Sequence, residues 1–147
     1  MADVLFKEFV SLCKKLEKIQ SRKEKVRILA EFISKTDPEN ARIASLLITG
    51  KIFPEYEDLK LDVGISTVYK VLKRLKSGQV FLVKKPSTLK EIYISLRRIA
   101  SIKGESSRKR KEEALRSLLI PLSEDEREYF LRAIFGEMRI GVNEGII

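Results

Sequence analysis

Residues 61–86 read LDVGISTVYKVLKRLKSGQVFLVKKP, and the class of fold turns on how this stretch is parsed. From Ser66 onward the apolar residues Val68, Val71, Leu72 and Leu75 return at three- and four-residue intervals with basic residues between them, the spacing of an amphipathic helix. After Gly78, the run QVFLV at residues 79–83 reads either as one short strand or as an extended connector. One strand alone cannot form a sheet. The fold class therefore rests on whether the flanking segments are helical.

Upstream, residues 3–20 place Leu5, Phe9, Leu12, Leu16 and Ile19 on one stripe, with Lys14, Lys15, Glu17 and Lys18 between them. Ser21 stands three residues before Glu24, the spacing of a capping box, in which hydroxyl and carboxylate each satisfy a free backbone amide. Val26, Leu29, Ala30 and Ile33 are the expected buried stripe of the helix that it opens. Asp37 as cap and Pro38 in the first turn begin a third helix, and Gly50 stops it. Residues 51–64, KIFPEYEDLKLDVG, lack periodicity and read as an ordered loop. Downstream, Thr88 and Glu91 form a second capping box ahead of Leu89, Ile92, Tyr93, Leu96 and Ile99. Ser106 or Ser107 caps a helix that buries Ala114, Leu115, Leu118 and Leu119 and stops before Pro121. Ser123 and Glu126 open the last helix, which runs through Phe130 and Ile134 to Gly136. The chain reads as all-α, a compact multi-helix single domain with at most one short extended segment near residues 79–83.

Composition narrows the function. The 147 residues, 44% of them hydrophobic, suffice for one domain with its own core. Thirty Lys and Arg against 21 Asp and Glu give a net charge of +9, which favours polyanionic partners, nucleic acid ahead of an anionic membrane surface. Histidine is absent and cysteine occurs once, so imidazole bases, Cys/His nucleophilic pairs and Cys/His zinc sites are closed off. Cys13 falls on the apolar stripe of the first helix and reads as a buried, inert thiol. The N-terminus MADVLFKEF is charged by its third residue, and no window approaches 18 uncharged apolar residues. A soluble, intracellular protein with no membrane partner is the expectation. The last stretch, GEMRIGVNEGII, ends on Ile146 and Ile147 and reads as the start of an element belonging to a longer chain.

Four basic groups fall at helix starts or loops: Arg22 with Lys23, Lys84 with Lys85, Arg108 to Lys111, and Arg139 between glycines. The first turn of a helix exposes unpaired amides and a partial positive charge, so it binds phosphate, while cations placed there disfavour the isolated helix. SSRKRK at 106–111 accepts that penalty, as a segment that meets an anion would. In the C-terminal stretch, Gly136, Gly141 and Gly145 permit close backbone approach, and Arg139 projects between the first two. Candidate phosphate contacts are Ser21, Arg22, Ser106, Ser107, Arg108, Lys111, Gly136, Arg139 and Gly141.

Four stretches then resemble a known family, the N-terminal DNA-binding domain of archaeal and eukaryotic ATP-dependent DNA ligases. LEKIQSRKEKVRILAEFI resembles its opening helix pair, and ITGKIFPEYEDLKLDVG its Gly, Phe-Pro, Gly loop. GESSRKRK is similar to its glycine, serine and lysine helix start, with Gly104, Ser107 and Lys111 on the matching positions. FGEMRIGVNEGII is similar to its G-x-[ML]-R-x-G block through Gly136, Met138, Arg139 and Gly141. The family has additional helices between the counterparts of Leu75 and Pro86, where this chain has KRLKSGQVFLVKK.

The resemblance implies a domain spanning residues 1–147 that holds nicked duplex DNA through phosphates and the minor groove, independently of sequence. It also implies adenylyltransferase and OB-fold domains after residue 147, with ATP and magnesium used there and no cofactor in this part. The reactive KxDG motif is absent: KLDVG at 60–64 has one residue too many and lies within the loop matched above, so no catalytic residue is assigned and no ligation is expected of this part alone. Gln79 and Phe81 are the candidate contacts for a sliding clamp, and the location implied is the cytoplasm, at the nucleoid, or the nucleus in a eukaryote. The other reading of residues 61–86 is a winged-helix regulator, which would set Ser66, Thr67, Tyr69 and Lys70 against base edges. Tyr69 equally suits a half-buried position.

Overall fold

The computed structural model describes residues 3–76 and 85–142. Within them lie α1 (Phe6–Lys18), α2 (Arg22–Ser34), α3 (Pro38–Ile48), α4 (Ile65–Lys76), α5 (Leu89–Ala100), α6 (Ser107–Leu119) and α7 (Glu124–Ile134), and the fold is all-α. The run at 79–83, and with it Gln79 and Phe81, lies outside the described residues.

The helices start where local chemistry starts them. Thr88 with Glu91 and Ser123 with Glu126 close complete capping boxes. The Asp37 carboxylate accepts the Asn40 amide at 2.8 Å ahead of Pro38. Ser21 forms only half a box: its hydroxyl accepts the Glu24 amide at 3.3 Å, while the Glu24 carboxylate turns to Arg27. An ion pair one turn along the helix offered that carboxylate an alternative to the backbone.

Two further expectations are corrected. The first helix begins at Phe6, not at residue 3, because the start of the chain pairs with the start of α5. Phe6 N–H donates to the Ser87 carbonyl at 2.9 Å, Leu89 N–H to the Val4 carbonyl at 2.8 Å, and Leu5 and Thr88 form an antiparallel bridge. On α2 the buried side is Lys25, Ile28, Leu29 and Phe32, whereas Val26 and Ile33 are 42% and 39% exposed and Ala30 faces out. The stripe read from apolar residues was turned by about one position. A buried lysine, discussed below, sets the phase.

The core forms where α5 packs on α3, α6 and α1, α7 on α1 and α3, and α4 on α6. Ile92, Leu96, Ile99, Leu115 and Phe130 are each at most 1% exposed, and each such burial contributes about 1.5 to 3 kcal/mol. Cys13 is buried with them, and desolvation pushes its thiol up to about 12, so it stays protonated and inert.

Across the α1–α7 contact, Glu17 accepts hydrogen bonds from Arg132 at 2.6 Å and from the Tyr129 hydroxyl at 2.7 Å. The Arg132 bond, then the Tyr129 bond, hold the Glu17 carboxyl below its usual range. Burial, then the Glu17 bond, push Tyr129 up to about 12. A depressed carboxylate stabilises the fold above its unfolded pKa, and that stability is lost as pH falls through the folded one. Glu17→Gln should therefore lower the thermal midpoint by a few degrees near neutrality, and the gap from the parent should close at acid pH, in melts run across that range. A gap that persists below the carboxylate range would mean that charge has no part in the clasp.

α3 and α7 end alike. Gly50 N–H donates to the Leu47 carbonyl and Lys51 N–H to Leu46, while Gly136 N–H donates to Ala133 and Glu137 N–H to Arg132. Both are Schellman ends with glycine in the left-handed position, at φ +79° and +66°. The two turns abut, since a Cβ added at Gly50 would lie 3.0 Å from the Gly136 Cα. That closeness seats the C-terminal loop on the end of α3.

Candidate nucleic-acid interface

The candidate residues fall into two groups. In the first, α4 packs on α6 so that the starts of both helices border one concavity of about 260 Å³, lined by Asp62, Val63, Gly64, Thr67, Ser107, Arg108 and Lys111. Lys111, one turn into α6, is only 8% exposed, and its ammonium donates to the carbonyls of Leu61 at 2.9 Å and Asp62 at 3.3 Å. It thereby ties the loop ahead of α4 to the start of α6. An ammonium has three donors, so one N–H remains beyond these two bonds.

Ser106 and Ser107 do not cap as the sequence suggested. Ser106 is the N-cap residue in a left-handed conformation, φ +60°, with no side-chain hydrogen bond, and Ser107 is the first helical residue. A side-chain cap requires an extended N-cap backbone, which the turn at Gly104, φ +92°, precludes here. The amides of Arg108 and Lys109 meet no acceptor among the described residues. Both side chains are exposed, and neither has an ion-pair partner among the described residues.

The second group surrounds the C-terminal loop. Met138 and Ile140 are buried and Arg139 between them points out, 80% exposed at φ +52°. Lys25 of α2, 9% exposed, donates to the Ile140 carbonyl at 2.9 Å. Gly141 leaves room for it, because a Cβ there would collide with the Lys25 ammonium. Arg22 lies one turn before Lys25 on α2, so the Ser21–Arg22 step and Arg139 stand on elements joined by that bond. Arg22 and Lys23 are exposed and without ion-pair partners among the described residues, while the Ser21 hydroxyl accepts its own helix's Glu24 amide.

Sequence reasoning missed the burial of Lys25 and of Thr67. Both are polar residues near a helix start, and no local spacing marks either as buried. The four residues of the regulator reading are split by the packing of α4: Thr67 is buried toward α6, whereas Ser66, Tyr69 and Lys70 face out, with Lys70 3.5 Å from Glu112. Tyr69 is 59% exposed rather than half-buried. Lys60, in the KLDVG loop, is exposed. No described helix is long and apolar enough to cross a membrane, and no group of three or more acidic, Cys or His residues among those described could hold a metal ion.

One further regularity joins the groups. The non-glycine residues with positive φ among those described are Asp62, Ser106 and Arg139, at the threshold of α4, the threshold of α6 and the tip of the C-terminal loop. Such conformations cost of order 1 kcal/mol or more each and collect at functional sites.

A basic, uncapped start on α6, a basic start on α2 and a glycine-seated loop that carries Arg139 define this as a basic all-α domain. Comparison with known proteins gives the family: the model described as DNA ligase N terminus matches residues 5–78 and 73–147, and the chain belongs to that family. It is 34% identical to DNA ligase 1 of Korarchaeum cryptofilum, covering 98% of this chain and 30% of the relative. It is 33% identical to the DNA ligase of Archaeoglobus fulgidus, covering 98% and 31%, and 28% identical to that of Thermococcus onnurineus, covering 100% and 31%. The chain thus spans about 30% of the length of these relatives. The two family segments meet at residues 73–78, and the first alignment runs over 168 positions for a chain of 147 residues, so the relatives carry additional residues.

Proposed function

We propose that this domain holds nicked double-stranded DNA by its phosphates and minor groove, without reading bases, as the DNA-binding domain of an ATP-dependent DNA ligase that seals nicks in replication and repair. The observation that carries the reading is the set of exposed basic side chains at helix starts, Arg22, Lys23, Arg108 and Lys109, unpaired among the described residues, with Arg139 thrust out of a loop that two buried anchors hold. Family membership supports it. In the full protein, adenylyltransferase and OB-fold domains follow residue 147 and use ATP and magnesium, and the location is the cytoplasm at the nucleoid. A sliding-clamp contact through Gln79 and Phe81 belongs to the same proposal.

Phosphate contacts position a protein but specify no sequence, so the affinities for two nicked duplexes of unrelated sequence should agree and should fall together, steeply, with salt. Fluorescence anisotropy at several salt concentrations measures both. A large preference for one duplex, lost on changing Ser66 or Tyr69 and kept on changing Arg139, would establish the regulator instead. Incubation with labelled ATP and magnesium should leave this chain unlabelled, and stable transfer of AMP to it would place a nucleophile where none is expected.

A further inference from the structure

We infer that the concavity between α4 and α6 is a phosphate subsite in which the Thr67 hydroxyl and the free amides at the start of α4 hold a phosphodiester oxyanion of the bound duplex. Thr67 is 7% exposed and lines the concavity, yet its hydroxyl meets no hydrogen-bond partner among the described residues. The hydroxyl reaches the solvent of the concavity, so it is placed to donate to a ligand oxygen there. Side chains on a helix lean toward its N-terminus, which sets this hydroxyl over the first turn.

There the amides of Ile65, Ser66 and Thr67 meet no acceptor among the described residues, and the first turn carries no acidic residue. The amides of Arg108 and Lys109 at the start of α6 are equally free, and the Arg108 side chain lines the same concavity. Two helix dipoles of twelve and thirteen residues therefore bring their positive ends to one place, with a guanidinium beside them. Lys111 fixes their relation through the Leu61 and Asp62 carbonyls. Asp62 is the opposing group: its carboxylate stands at the rim, φ +50°, and repels an anion. By contrast, a cap side chain accepts one backbone amide in the first turn of each of α2, α3, α5 and α7.

The inference rests on the DNA-binding reading and is tested beside it. Thr67→Val keeps size and removes the hydroxyl, so affinity for nicked duplex should fall about tenfold with no change in salt slope, the loss of one hydrogen bond to a charged group. Thr67→Ser should restore it. Asp62→Asn removes the repelling charge, suits a left-handed backbone, and should tighten binding about threefold. The amide resonances of Ser66 and Thr67 should shift on titration with the duplex. If Arg108→Ala weakens binding while Thr67→Val and Asp62→Asn leave it unchanged, the subsite is refuted and the DNA reading stands. If the unaltered domain shows no salt-dependent affinity for nicked duplex, the DNA reading itself fails. Weaker binding by Asp62→Asn would make the concavity a cation site, and shifts with inorganic phosphate but none with duplex would make it a free-phosphate site; either overturns the inference. Should Thr67→Val fail to fold, Thr67→Ser, Asp62→Asn and the resonance shifts still decide.

Discussion

Replacing Lys111 with methionine should lower the stability of the domain by about 2 to 3 kcal/mol, because it leaves the Leu61 and Asp62 carbonyls without their donor while keeping the volume of the side chain. For a chain of this size that corresponds to a fall in melting temperature on the order of 5 to 10 °C. The same change should weaken DNA binding, since the loop ahead of α4 loses its tie to α6. The two effects separate the roles open to this lysine. If its ammonium acts chiefly on a phosphate, the melting temperature should hardly move and the salt slope should fall by about 0.9. If it acts chiefly on the loop, the melting temperature should drop and the slope should hold. Its burial and its two carbonyl partners favour the second outcome.

The largest effect on binding is expected from Arg108→Ala combined with Arg139→Ala. Each phosphate-neutralising side chain contributes roughly 0.9 to the slope of log affinity against log salt on B-form DNA, so the pair should lower it by about 1.8. With each charged contact contributing about 1.5 kcal/mol or more, affinity at low salt should fall about a hundredfold, equally for unrelated duplexes. Stability should change by less than about 0.5 kcal/mol. Both side chains are exposed, and the nearest carboxylate to Arg139, that of Glu137, stands 4.0 Å away. Alanine also keeps the Cβ at position 139, so the left-handed backbone there costs the same before and after. Anisotropy titrations over salt, paired with thermal melts, read both quantities, and an unchanged slope would remove these arginines from the interface.

The structure gives these residues a division of labour. Arg22, Lys23, Arg108, Lys109 and Arg139 are solvent-facing, whereas Lys25 and Lys111, equally basic in sequence, are buried and each bonds to backbone carbonyl oxygen of a loop. Those two lysines fix the places from which the exposed charges project. Net charge alone would count all seven alike. An argument from charge to affinity holds only for cations whose hydration changes on binding, and a lysine already bonded to backbone contributes little to counterion release.

By itself the sequence determined the seven helices of the described residues and most of their ends. Capping serines, threonines and Asp37, the glycines that stop α3 and α7, and 3.6-residue periodicity all act within a few residues, and local signals are legible locally. It also marked the basic runs at helix starts, because a charge run is visible as text, though not that Lys111 within one of them is buried. Only the tertiary structure decided which polar residues go inside. Lys25 finds its acceptor 115 positions away and Lys111 finds its own 50 positions away, so nothing near either residue announces burial. The same distance explains α2, where an ammonium drawn to the Ile140 carbonyl turns Val26 and Ile33 outward against their hydrophobicity, and Thr67, which looks in text like any polar residue of a helix start. A side chain's environment is set by what packs over it, and periodicity cannot carry that information when the partner comes from another part of the chain.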